Sequence, residues 1–359
     1  MVNDWKFLWR FWMVAALLTP ALGWAQNLTV TPTAIATRNP FYTLDKIWKG
    51  DEPGGPQLKD SEALSAGRDG KLYIADTGNN RIVIWDPEGG SVQNVGTFGT
   101  RADWQNPPQF NQPSGILAQP SGQIYVGDTL NQRIVMLDAK GMVVTCWGSQ
   151  GTGNGQFNEP RSVARDHFGN IWVLDSGNSR VQIFSDLGAF ISVWGSFGTD
   201  PFLLNNPLGM AVNHIDQAII ADTGNFRFEV FNDSAVPVTQ QGWFGEGPYQ
   251  FKEPAGVATT RSRLLAIADG DRVDFYNGQD GDFEYLGRWK AGSHWAGLKN
   301  GARFRGITSD RLNRIYLTDV NNNWVIRLKP EKTFRPPYVE PTPTPGESSP
   351  YEGQGYPIR

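Results

Sequence analysis

From residue 41 to about 330 the apolar residues come in short runs, each ended by Gly, Asn, Asp or Pro. Their side chains are mainly Val, Ile, Trp, Phe and Tyr, the types that fit a pleated surface. One stretch shows the grain of the whole. Ser162-Val163-Ala164 leads to a turn at His167-Phe168-Gly169-Asn170, then to Ile171-Trp172-Val173-Leu174. After a polar loop come Val181-Gln182-Ile183-Phe184 and Ile191-Ser192-Val193-Trp194-Gly195. This pattern predicts four short antiparallel strands, a to d, within about 47 residues, the size of one propeller blade.

The pattern recurs. Asp76, Asp128, Asp175 and Asp222 each open a polar loop that closes on an arginine: Arg81, Arg133, Arg180 and Arg227. Two further loops are degenerate: Ala268-Asp269-Gly270-Asp271-Arg272 is two residues short, and the loop from Asp319 ends in Trp324. A second marker keeps phase, since Pro113, Pro160, Pro207 and Pro254 each lie 15 residues before the repeat aspartate, with Ser61 and Phe304 in that place in the outer repeats. Six units predict an all-β fold, a six-bladed propeller of four-stranded antiparallel blades. The last unit ends at Leu328-Lys329-Pro330 without a fourth strand, and Ile47-Trp48-Lys49-Gly50 echoes Val193-Trp194-Gly195-Ser196. The N-terminal strand is therefore predicted to complete blade six, which removes an exposed edge.

Composition narrows the chemistry. Charged residues are 19% and aromatic residues 12%, with 14 Trp, which excludes a disordered chain, a coiled coil or a collagen. A balance of 32 basic and 36 acidic residues gives no field for nucleic acid. Cys146 is the sole cysteine, so no intrachain disulfide or cysteine cluster forms. Lying inside a predicted strand, it reads as a buried, inert thiol.

The ends read differently. Residues 1–25 have the form of a cleaved signal peptide: Lys6 and Arg10, an apolar run from Phe11 to Leu18, and Gly23-Trp24-Ala25 before Gln26. That run is too short to span a bilayer, so no transmembrane span is expected in the mature chain. A secreted, periplasmic or cell-surface location follows. Residues 26–40 read as a linker, 41–330 as the propeller, and 331–359 as a Pro-rich disordered tail.

The lead Pro-x-(Gly/Ser)-hydrophobic-Ala and the loop Asp-(Thr/Ser)-Gly-Asn-x-Arg resemble the NHL-repeat family over about residues 41–330. The resemblance implies six blades. It also implies that an amidating-lyase-like enzyme would carry zinc histidines directly after the lead positions. Here those places hold Glu62, Ser114, Arg161, Leu208, Ala255 and Arg305. His167, His214 and His294 lie elsewhere, the first two in turns at the opposite end.

The six motif aspartates are expected to serve the repeat and not a metal, because equivalent positions on six blades are too far apart for one ion. Their glycines suit a positive φ. Trp147, Trp194, Trp243 and Trp289 are expected to pack between blades. The acidic stretch from Asp269 to Glu284 lacks a calcium-loop spacing and reads as a solvated hairpin. No catalytic residue is assigned and no cofactor expected, calcium and zinc remaining open. Long loops between strand d and the next strand a carry Trp104, Phe202, Tyr249 and Trp295 on the end where strand a begins. At the axis Arg161 and Arg305 stand on opposed blades and, with Ser114 and Glu62, are the candidate ligand-binding residues. Two arginines among six positions predict a locally positive mouth that clamps a carboxylate; the alternative is that each arginine pairs locally with Glu159, Glu253 or Glu62 and only solvates the mouth. The reading is a monomeric, non-catalytic binding propeller for a protein, peptide, acidic small ligand or glycan. The alternative is a secreted lyase or hydrolase with a metal in the channel.

Overall fold

The computed structural model describes residues 42–50, 55–100, 107–278, 283–292 and 301–331. The expected signal peptide, linker and Pro-rich tail lie outside them, as do Trp104, His294 and Trp295. Six four-stranded antiparallel sheets form a closed six-bladed propeller. Blade three runs Pro160–Arg165, Ile171–Asp175, Arg180–Phe184 and Phe190–Trp194. The other innermost strands are Ala63–Ala66, Gly115–Ala118, Gly209–Val212, Pro254–Thr259 and Phe304–Ser309. Among the described residues no helix is long and apolar enough to cross a membrane.

Strand Tyr42–Trp48 pairs antiparallel with Trp324–Pro330 and is the outer strand of blade six. Trp48 pairs with Val325 as Trp194 pairs with Val181, so the N-terminal strand repeats the strand-d register of blade three. Asn323 Oδ1 also accepts the Asp60 amide at 2.8 Å, which ties blade six to blade one.

Each strand b is buried along its length, because it is covered on both faces by neighbouring blades. The hydrophobic core is accordingly divided into six clusters, one at each blade interface. Trp147, Trp194 and Trp289 pack there, Trp194 against Phe231 with ring centres 4.5 Å apart and Trp289 against Phe304 at 5.9 Å. Trp243 does not. Blade four's outer strand ends at Gln241, and Gly242, at φ +127°, turns the chain so that Trp243 is 55% exposed. Cys146 is half-buried, against the cluster between blades one and two, and not sealed inside it.

The motif loop works as an anchor for the long loops. Asp175 Oδ1 accepts the Asn158 amide at 2.7 Å, while Oδ2 accepts Asn178 Nδ2 at 2.9 Å and Arg180 Nε at 2.7 Å. Arg180 then donates through Nη1 and Nη2 to the carbonyls of Thr152, Gly153 and Gln156. The same set recurs around Asp76, Asp128 and Asp222. Thr77, Thr129 and Thr223 donate their hydroxyls to Pro113, Pro160 and Pro254 of the next blade. The motif glycines are not at positive φ, contrary to the sequence expectation; that conformation falls on Asn80, Gln132, Ser179 and Phe226. Gly177 is required by crowding instead, since a Cβ there would lie 2.7 Å from the Asn158 carbonyl oxygen.

Candidate functional site

The residues after the six lead positions meet at one end of the axis. Glu62, Ser114, Arg161, Leu208, Ala255 and Arg305 line a recess of about 20 Å³, room for about one water. The same six, with the rest of the innermost strands, bound an axial cavity of about 260 Å³. Most of that cavity's wall is small: Ser65, Ser162, Thr259, Thr308, and glycines at 115, 209, 256 and 306. Glycine is needed where strands crowd the axis, as at Gly209, whose Cβ would overlap the Ala255 carbonyl oxygen at 2.0 Å.

All four candidate ligand-binding residues are therefore at the mouth. The guanidiniums, however, are turned to carboxylates. Arg161 donates to Glu159 Oε2 from Nε at 3.2 Å and Nη2 at 2.9 Å, and from Nη1 to Glu62 Oε2 at 2.9 Å, past blade two. Arg305 Nη2 donates to Glu253 Oε1 at 2.8 Å. Arg303, a third cation that sequence reasoning overlooked, grips Glu253 through Nε and Nη2. Three arginines and three glutamates make the mouth charge-balanced. The expectation of a positive field fails because Glu62, Glu159 and Glu253 stand beside the arginines.

Arg305 differs from Arg161 in one respect. Its side chain is 15% exposed, and its Nη1 is buried without an acceptor. Burial pulls its pKa below the ordinary guanidinium value against the charge of Glu253. Burial also opposes ionisation of Glu253, but the hydrogen bond from Arg303 and the charge of Arg305 outweigh it and hold that carboxyl below its ordinary value.

The motif aspartates Asp76, Asp128, Asp175, Asp222, Asp269 and Asp319 sit in six separate turns, each engaged locally. Among the described residues no three His, Cys, Asp or Glu side chains group as metal ligands. In blade five two members of the acidic stretch, Asp269 and Asp274, are buried and not solvated, while Asp280 and Asp282 lie outside the described residues. Asp274 is fully buried and takes Arg288 Nε at 2.5 Å and Nη2 at 3.0 Å, and Asp269 pairs with Arg272 at 2.5 Å. His167 lies in a turn at the far end of the blades, paired through Nδ1 with Asp216 of blade four.

Of the loop aromatics, Phe202 packs on Phe231 and Tyr249 on Tyr276, so both are anchors. Phe168 is exposed in a turn at the opposite end, and among the described residues the exposed aromatic side chains directly after strand d are Phe98, Phe197, Trp243 and Phe244. Their signal was the unit Gly-x-Phe-Gly at 96–99, 195–198 and 242–245, directly after strand d. Glu229, in strand c of blade four, was also missed. It is fully buried, accepts Arg227 Nη2 at 2.7 Å and the Phe202 amide at 3.1 Å through Oε1, and burial pushes its pKa up to about 8.

Comparison with known proteins agrees with this architecture. The NHL-repeat family model matches residues 157–184, the inner three strands of blade three with the turn before them. None of the curated proteins matches the sequence. Among solved structures, a streptogramin B lyase is 11% identical with a TM-score of 0.56, covering 81% of this chain and 98% of its own. A virginiamycin B lyase from Staphylococcus aureus is 14% identical, TM-score 0.53, covering 77% and 82%. A gluconolactonase from Xanthomonas campestris is 16% identical, TM-score 0.56, covering 79% and 89%. At such identities the likeness is one of fold.

Proposed function

We propose that this NHL-repeat propeller is a monomeric, extracytoplasmic binding module without catalytic chemistry of its own. It takes a negatively charged group of a protein, peptide or small ligand at the axial mouth. The observation that carries this reading is Arg305 Nη1, a buried cationic donor without an acceptor beside a recess that opens at the axis. Such a donor is costly to leave unmade, and a ligand oxygen satisfies it. The carboxylates at the mouth support binding over acid–base chemistry, because each is held in an ion pair with arginine. A general acid or base needs a pKa near the working pH, and Glu253 is pushed the other way. The apolar leader at residues 11–18 supports export.

The test is calorimetric titration with carboxylate-bearing compounds, including amino acids and short peptides, at low salt. At least one should bind, and Arg305→Ala should weaken it by about 1.5–3 kcal/mol. Equal binding by wild type and variant overturns the reading. Zinc or calcium bound at one per chain would instead favour the secreted lyase or hydrolase.

A further inference from the structure

The mouth positions are ordered by chemistry around the axis. In ring order they are Glu62, Ser114, Arg161, Leu208, Ala255 and Arg305. The two guanidiniums stand on opposed blades. On one side between them lie a carboxylate and a hydroxyl, Glu62 and Ser114. On the other side lie two apolar side chains, Leu208 and Ala255. The mouth thus has a cationic, an anionic and an apolar sector around one recess.

Charge balance limits what this ring attracts. Arg161, Arg303 and Arg305 are already matched by Glu62, Glu159 and Glu253. A simple anion gains from Arg305 but is repelled by Glu62, whose side chain is 31% exposed at the same recess. A simple cation meets the reverse. A molecule that carries both charges one carbon apart gains at both places and loses at neither. The recess admits about one polar group, the size of a carboxylate head, and the rest of a ligand lies beside it along the ring.

We propose that the mouth recognises a zwitterion, a free α-amino acid with a small apolar side chain, an inference that rests on the mouth being a ligand site at all. The ligand carboxylate accepts from Arg305 Nη1. Its ammonium group donates to Glu62, and its side chain lies against Leu208 and Ala255. Three unlike contacts around one carbon also select one enantiomer, because the mirror image cannot satisfy all three.

A matched set of probes separates the parts. Valine carries both charges, isovalerate lacks the amine, and isobutylamine lacks the carboxylate. Titrated by calorimetry at low salt, one enantiomer of valine should bind at least about tenfold more tightly than either fragment, as expected for one added charge-assisted contact. Glu62→Gln should abolish valine's advantage over isovalerate, and isovalerate itself should bind more tightly to the variant because the like charge is gone. Leu208→Ser should weaken valine and leave glycine unaffected, and it preserves every charged residue should Glu62→Gln fold poorly. Isovalerate binding as tightly as valine would refute the zwitterion and leave an anion site standing. If no probe binds, the mouth is not a ligand site and both readings fall.

Discussion

Replacing Asp175 by alanine should destabilise the ring more than the same change at Asp319, and the difference measures what the motif arginine contributes. Asp175 is fully buried and takes the Asn158 amide, Asn178 Nδ2 and Arg180 Nε. Alanine removes the acceptor of three neutral donors, counting Gln182 Nε2 at 3.3 Å, and of one guanidinium. A stranded buried donor costs about 1–3 kcal/mol. Breaking a buried ion pair from one side costs about 3–5 kcal/mol. Arg180 keeps its bonds to the Thr152, Gly153 and Gln156 carbonyls and is 12% exposed, so it retains part of its solvation. These effects overlap, and the loss should come to about 3–5 kcal/mol. At Asp319 the place of the arginine is held by Trp324, and the carboxylate serves the Arg303 and Asn321 amides and Asn322 Nδ2. The loss there should stay near about 1–3 kcal/mol. Urea unfolding reads both variants against wild type, with the slope checked for constancy. Equal losses at the two sites would refute the argument. A deficit at Asp175 that appears only with calcium would make the motif a metal site.

Deleting residues 42–48 should lower the melting temperature of the whole ring, since blade six loses its outer strand; an unchanged transition in differential scanning calorimetry would contradict closure. Removing 332–359 should leave that temperature unchanged. Trp194→Ala should cost about 3–5 kcal/mol in urea unfolding because the ring packs on Trp172 and Phe231, whereas Trp243→Ala should stay within about 0.5 kcal/mol. Glu229 holds a proton in the fold up to about pH 8, whereas its ordinary value is 4.5, so stability should fall as pH rises between those values and level off above. Glu229→Gln should flatten that segment of the stability profile; an unchanged slope would show that another group is responsible.

The blade count, the strand order and the closing strand were legible because the repeat places a buried aspartate, a lead residue and a strand-d tryptophan at nearly fixed offsets. Trp147 and Trp194 each lie 19 residues past their aspartates. Trp243 lies 21 past Asp222, an offset that could have been counted and that puts it beyond the strand. The glycine misassignment came from treating a motif glycine as a backbone requirement, when at Gly177 the constraint is space beside Asn158. The meeting of six mouth residues followed from the blade phase alone. Local pairing of the two arginines with Glu159, Glu253 or Glu62 was legible as well, but which acid meets which base was not, since Glu62 and Arg161 are 99 residues apart and Arg303 stands two residues outside the motif position. Which acid faces which base depends on side-chain reach across the axis, and a repeat pattern does not encode that.

The seam of blade six also sets an order of events. Arg327 Nε donates to Asp45 Oδ2 at 2.6 Å, a contact between residues 282 positions apart, whereas blades one to five each pair strands that are near neighbours in sequence. Closing so long a loop is entropically slow, and its reward comes only when both partners exist. During synthesis the first strand is therefore made long before its partner and waits as an unpaired edge while five blades assemble. The ring should accordingly be completed last in folding, and the same seam is where it should open first, so hydrogen exchange at Tyr42–Trp48 should run ahead of exchange in the buried strands of blade three.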